Sequence, residues 1–164
     1  MPFRSQRFDP DLHNVAAFTS GERSLDVWLR EQAVAAIDRR TARTWVWVSD
    51  AGAVVGYYAL TAHKIARDDV PARIGRGGPA EIPAVLLARL ALHLNLRGQD
   101  LGGVLLADAL TRVVDATQQV AARVVVVDAL TERVAEFYER HGFRRVPGSL
   151  VLVQKLTDVE AALR

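Results

Sequence analysis

Cysteine is absent from these 164 residues, which excludes disulfides, thiolate zinc sites and a cysteine nucleophile. Lysine is scarce: nineteen of the 21 basic residues are arginine, and Lys64 and Lys155 are the only lysines. A charge excess is also lacking, because the formal net charge is only +2; charge by itself singles out no nucleic-acid partner. No run approaches the ~18 uninterrupted apolar residues of a membrane span, and Met1–Arg7 carries no apolar signal region. A cytoplasmic protein is therefore expected. Neither a Walker loop nor a Gly-x-Gly-x-x-Gly dinucleotide fingerprint occurs, and His13, His63, His93 and His141 have no metal-ligand spacing.

Half of the residues are hydrophobic, enough for one sizeable core, and no repeat, low-complexity stretch or linker divides the chain. A single domain over residues 1–164 is expected. Ser24 is placed to cap a helix running to about Arg40, with Leu25, Trp28, Leu29, Ala33, Ala36 and Ile37 on its core face. Strands Thr44–Ser49 and Val54–Thr61 flank Asp50–Ala53, a hairpin signal. The stretch Arg67–Ile82, with its glycines and prolines, reads as a mobile loop. Two strand–helix units follow, a strand to about His93 with a helix Gly102–Gln118, then Arg123–Ala129 with Thr131–His141, and Leu150–Leu156 is a last strand. This order specifies an α/β (α+β) chain with a mixed, twisted sheet flanked by helices.

The most informative segment is the apolar strand Leu86–Leu92 followed by Arg97-Gly98-Gln99-Asp100-Leu101-Gly102-Gly103 and a helix. Free backbone N–H groups of such a loop and of the helix's first turn form a concave anion site. Glycine lets that backbone approach a phosphate closely. Asp100 either sets a repelling carboxylate beside the pyrophosphate or, since Asp suits a left-handed position better than most residues, turns it to solvent. The second informative segment is Phe137-Tyr138-Glu139-Arg140-His141-Gly142-Phe143, at the end of the next helix.

The first loop resembles the Arg/Gln-x-x-Gly-x-Gly/Ala loop of the GNAT superfamily of N-acetyltransferases, with Arg97 first, Gly102 last and Asp100 where a glycine is usual. The second resembles the Phe-Tyr-x-x-x-Gly-Phe stretch of the same enzymes. Phe18-x-x-Gly21-x-x-x-Leu25-x-x-Trp28-Leu29, Val55–Leu60 and Ile82–Ala91 are similar to segments of one GNAT subfamily, the acetyltransferase toxins of type II toxin–antitoxin modules. The likeness runs from about Phe8 to Leu156. It implies a GNAT fold whose splayed central strand pair holds coenzyme A, with acetyl-CoA as co-substrate and no metal. It further implies acetylation of the α-amino group of aminoacyl-tRNA, a ribbon-helix-helix antitoxin as partner, and a homodimer.

Within that resemblance the loop Arg97, Gly98, Gln99, Asp100, Leu101, Gly102 and Gly103 holds the pyrophosphate, and backbone groups of Leu90, Ala91 and Leu92 pair with the pantetheine arm. Tyr138 is the candidate general acid, since a phenol with a pKa near 10 is protonated at neutral pH and can donate to a departing thiolate. Phe137 belongs to the same cofactor motif, and its place about 100° round the helix makes it a core residue. No acid lies on Val85–Leu92 to serve as a strong base. An α-amine, titrating near 7.7–8.0, needs one less than a lysine titrating near 10.4. Arg39, Arg40, Arg73, Arg76, Arg89 and Arg144 are the candidate contacts to acceptor phosphates. Two other readings remain open: transfer to a small amine or a protein N-terminus, and a degenerate domain that binds coenzyme A without turnover.

Overall fold

The computed structural model describes residues 3–164. Seven strands form one mixed sheet: β1 (Arg4–Arg7), β2 (Arg43–Val48), β3 (Val54–Ala66), β4 (Glu81–Leu92), β5 (Val124–Asp128), β6 (Arg144–Arg145) and β7 (Val151–Lys155), in the order β1-β2-β3-β4-β5-β7-β6. The helices are α1 (Arg23–Val27), α2 (Ala33–Arg39), α3 (Ala72–Gly75), α4 (Leu101–Thr117), α5 (Glu132–Arg140) and α6 (Leu156–Leu163). Two compact units share this chain, residues 1–61 with 88–109 and residues 62–87 with 110–164.

In the first unit β2 is antiparallel to both β1 and β3. The expected hairpin is present: Gly52 N–H donates to the Ser49 carbonyl at 2.9 Å, and Gly52 has φ +84. Phe8, Phe18, Leu29, Ala33, Val46, Val48, Val54, Tyr57 and Ala91 form the core, with Leu25, Trp28 and Ile37 packed partly buried against it. The N-terminal helix departs from the single Ser24-capped element that its spacing predicts. Ser24 lies inside α1, which starts after Glu22, and a π-helical turn over Trp28–Gln32 separates α1 from α2. That wide turn, closed by Ala33 N–H on the Trp28 carbonyl, seats Leu29 and Ala33 in the core and leaves Trp28 half-buried. Such turns concentrate at functional sites.

In the second unit β5 is parallel to β4 and antiparallel to β7. Its four valines are all buried, as a strand covered on both faces requires. The register between β4 and β5 runs only from Ala84↔Val124 to Leu87↔Val127. β5 ends one residue further on, at Asp128. The stretch predicted as a mobile loop carries structure instead: a 3-10 turn at Arg67–Asp69, then α3. Val70 and Ile74 belong to a core with Ile82, Ala84, Val124, Val126 and Val153. Two buried apolar side chains hold a segment whose glycines and prolines suggest freedom. α5 begins as expected, with Thr131 Oγ1 accepting the Val134 N–H at 3.2 Å.

Candidate active site

Between β4 and α4 the chain makes a 3-10 turn at Leu94–Leu96 and then the loop Arg97–Asp100. Gly98 has φ +78, and a Cβ there would meet nothing within 4 Å; glycine is required by backbone conformation rather than by crowding. Asp100 has φ +57 and is exposed, as its residue type allows. With Gln99 between two left-handed residues, the backbone doubles back just before α4 starts at Leu101. The first turn of α4 holds no acidic residue, and two of its members, Gly102 and Gly103, have no side chain to screen their N–H groups. A pyrophosphate fits this arrangement of free donors and positive helix dipole.

β4 supplies Leu90, Ala91 and Leu92 immediately before that turn. Ala91 is buried, while Leu90 and Leu92 are half-buried. Gly56 of β3 packs so closely that a Cβ there would lie 3.4 Å from the Ala91 carbonyl oxygen. Arg89 is half-buried with its guanidinium 5.2 Å from the centre of the Trp28 ring, a cation–π arrangement. Trp28 in turn stacks on Tyr57 at 6.0 Å. Arg89 Nη1 donates to the Ala88 carbonyl at 3.2 Å, whereas its buried Nε has no partner among the described residues.

In the second unit α5 buries Tyr138 and leaves Phe137 half-buried. This reverses the expected assignment of Phe137 to the core. α5 turns Tyr138 inward against Phe143 at 5.3 Å, and Phe137 outward beside His141 at 4.7 Å. Burial pushes the Tyr138 phenol well above its ordinary pKa of 10. Among the described residues its hydroxyl takes no hydrogen bond. The phenol is therefore a protonated donor over the whole neutral range, free to serve another molecule.

The candidate arginines are divided between the two units, Arg39, Arg40 and Arg89 in the first and Arg73, Arg76 and Arg144 in the second. Arg39 ends α2 and Arg40 caps it with φ +60, both exposed. Arg73 lies on α3 and Arg76 just after it, where the Arg76 carbonyl accepts from Arg123 Nη2 at 3.2 Å. Arg144 is exposed on β6, while its neighbour Arg145 is committed to Glu132 and Glu139. His93 is structural: its Nδ1 accepts the Asn95 N–H at 3.1 Å and its ring meets Phe18 edge-on. No group of three or more His, Asp or Glu side chains suited to a metal occurs among the described residues.

One functional-looking residue escapes sequence reasoning. Asp108 Oδ2 accepts from Ser5 Oγ at 2.6 Å, Tyr58 Oη at 2.9 Å and Trp47 Nε1 at 3.2 Å. The only signal in the sequence is an acid inside the apolar run Leu105–Leu110 of α4. The hydrogen bonds fasten β1, β2 and β3 to one point of α4, so the role is structural.

The Acetyltransferase (GNAT) domain family matches residues 40–145. The chain is similar to the tRNA-acetylating toxin of Mycobacterium tuberculosis, 39% identical over 154 residues that make up 93% of this chain and 92% of the relative. Among solved structures, a tyrosine-to-phenylalanine mutant of KacT superposes with a TM-score of 0.91 at 25% identity, covering 99% of both chains. AtaT complexed with acetyl-methionyl-tRNAfMet superposes with a TM-score of 0.89 at 25% identity, again over 99% of both chains. Fold, loop and tyrosine motif thus define an acyltransferase of the acetyl-CoA-dependent class. The chain belongs to the GNAT acetyltransferase family.

Proposed function

We propose that this chain is a toxin of the aminoacyl-tRNA-acetylating kind: it transfers acetyl from acetyl-CoA to the α-amino group of a charged tRNA and so blocks translation. The observation that carries this reading is the 39% identity to a tRNA-acetylating toxin along 93% of the chain. Residues 1–164 act as one catalytic domain, working in the cytoplasm where charged tRNA is found. Among the described residues no helix is long and apolar enough to cross a membrane. A ribbon-helix-helix antitoxin restrains the toxin, and a homodimer is its working assembly, as the resemblance implies.

Acetyl-CoA supplies an activated thioester. The N–H groups of Arg97–Gly103 hold its pyrophosphate, and the backbone of Leu90, Ala91 and Leu92 orients its pantetheine arm. Phe137, half-buried beside Tyr138, lines the same cofactor. Tyr138 donates the proton that the departing thiolate takes up. The acceptor amine is neutral enough near pH 8 to attack without a protein base, consistent with a β4 segment Val85–Leu92 that carries no acid. Arg39, Arg40, Arg73, Arg76, Arg89 and Arg144 contact acceptor phosphates and set its orientation.

The test is transfer of labelled acetyl from acetyl-CoA to a pool of charged tRNAs, with Tyr138→Phe alongside. Label on the aminoacyl group, lost in the variant, is the expected result. Label on small amines or protein N-termini instead would move the acceptor class. Acetyl-CoA binding with no transfer to any amine would leave a coenzyme A-binding domain without turnover.

A further inference from the structure

The segment Phe18–Glu22 contains the first half of the N-terminal motif, and the groups of Phe18, Thr19 and Ser20 are tied to Asp26, Arg30, Leu94 and Arg97. The buried Asp26 carboxylate accepts the Ser20 N–H at 2.9 Å, Ser20 Oγ at 2.6 Å and Thr19 Oγ1 at 3.3 Å. Leu94 N–H donates to the Thr19 carbonyl at 3.0 Å, and Arg30 Nη1 donates to the Phe18 carbonyl at 2.8 Å. The Ser20 carbonyl is taken by Nη2 of Arg97, the first residue of the anion-binding loop. Gly21 sits at φ +89, and a Cβ there would lie 2.9 Å from Leu94 Cδ2 and 3.4 Å from Arg97 Nη2. Glycine at this position is what lets the two segments close on each other.

We infer that Arg97 is a positioning residue, which acts by clamping the Ser20 carbonyl rather than by placing its charge on the cofactor phosphates. Asp26 fixes Ser20, Ser20 fixes Arg97, and Arg97 fixes the path of the loop that follows. The inference rests on the reading of Arg97–Gly103 as a pyrophosphate cradle. It also gives Gly21, a fixed position of the N-terminal motif, a role at a loop more than seventy residues later. A buried carboxylate accepting three hydrogen bonds gives the chain of contacts a rigid end.

The experiment measures acetyl-CoA affinity by calorimetry, with KM and kcat for acetyl transfer, on the full chain. The variants are Asp26→Asn, Arg97→Met, Arg97→Lys and the double variant Asp26→Asn with Arg97→Met. Losing a clamp worth one charge-assisted hydrogen bond should raise Kd and KM about tenfold in either single variant, with kcat kept within about twofold. The double variant should be no worse than the weaker-binding single variant, since both break one chain of contacts. Arg97→Lys, which can still donate to one carbonyl, should recover part of the loss.

A direct charge contact predicts a different pattern and would overturn the inference. Arg97→Met would then lose affinity in a strongly salt-dependent way while Asp26→Asn bound acetyl-CoA normally. If Asp26→Asn fails to fold, the two Arg97 variants at low and high salt carry the test: a clamp gives a loss that salt leaves unchanged, a phosphate contact a loss that shrinks as salt is added. Failure of the wild-type protein to bind acetyl-CoA would overturn the cradle reading and this inference together. Intact wild-type binding with unaltered variants would overturn the inference alone.

Discussion

Tyr138 and Asp108 are both polar side chains set among apolar neighbours, and they answer different questions. The Tyr138 hydroxyl has no hydrogen-bond partner among the described residues, so its removal orphans nothing. Tyr138→Phe should leave the unfolding midpoint nearly unchanged and lower the turnover number by roughly a hundredfold or more, the usual weight of a general acid. Urea unfolding beside steady-state kinetics checks both halves. Asp108 is the opposite case. Asp108→Ala removes the carboxylate that accepts from Ser5, Trp47 and Tyr58, and should cost on the order of 3 kcal/mol of stability, at about 1 kcal/mol for each hydrogen bond lost. The hundredfold kinetic loss belongs to a residue that sequence likeness picks out. The stability loss belongs to one it passes over, because three donors from β1, β2 and β3 converge only in the folded chain.

Among the described elements two residues other than glycine are left-handed, Arg40 at the end of α2 and Asp100 before α4. A side chain in that region costs about 1–2 kcal/mol. Arg40→Gly should therefore keep or raise stability by up to about 1 kcal/mol, while binding charged tRNA more weakly and with a shallower salt dependence. Stability from urea titration and affinity at several ionic strengths separate the two effects. Asp100→Gly removes an exposed carboxylate from beside the anion loop. It should tighten acetyl-CoA binding by roughly two- to fivefold at low salt, the range of an exposed charge interaction, with the gain shrinking as salt is added. The helix Leu101–Thr117 and its loop were legible because glycines and an apolar period mark them. β1, β6 and α6 were not. β1 is polar throughout, β6 is two residues long, and α6 follows β7 with no intervening residue to signal a break.

Across the whole molecule, two buried phenols shape the response to pH. Burial pushes Tyr57 and Tyr138 above the ordinary value near 10; for Tyr57 the nearby Arg89 charge opposes that shift and Asp26 adds to it. Below pH 10 each phenol is protonated in both folded and unfolded chains and contributes a constant stability. Above pH 10 the unfolded chain gives up those protons first, so stability falls as pH rises. Thermal unfolding between pH 8 and 11 should show a loss confined to the upper part, smaller in Tyr138→Phe. The acetyl-transfer rate should instead rise up to about pH 8 as the acceptor amine deprotonates, then stay level to about pH 10 because Tyr138 keeps its proton.

The amino-acid order by itself determined the class of protein. Two short motifs, an apolar period for each major strand and helix, and a glycine loop ahead of α4 are local features, written in adjacent residues and readable without the fold. The tertiary structure decided what depends on distant residues meeting. It set Tyr138 rather than Phe137 inward, gave Val70 and Ile74 a core to bury in, committed Arg145 to two glutamates, and joined Ser20 to Arg97. Burial and hydrogen bonding are properties of neighbours in space, and residues separated by seventy positions become neighbours only once the chain has folded.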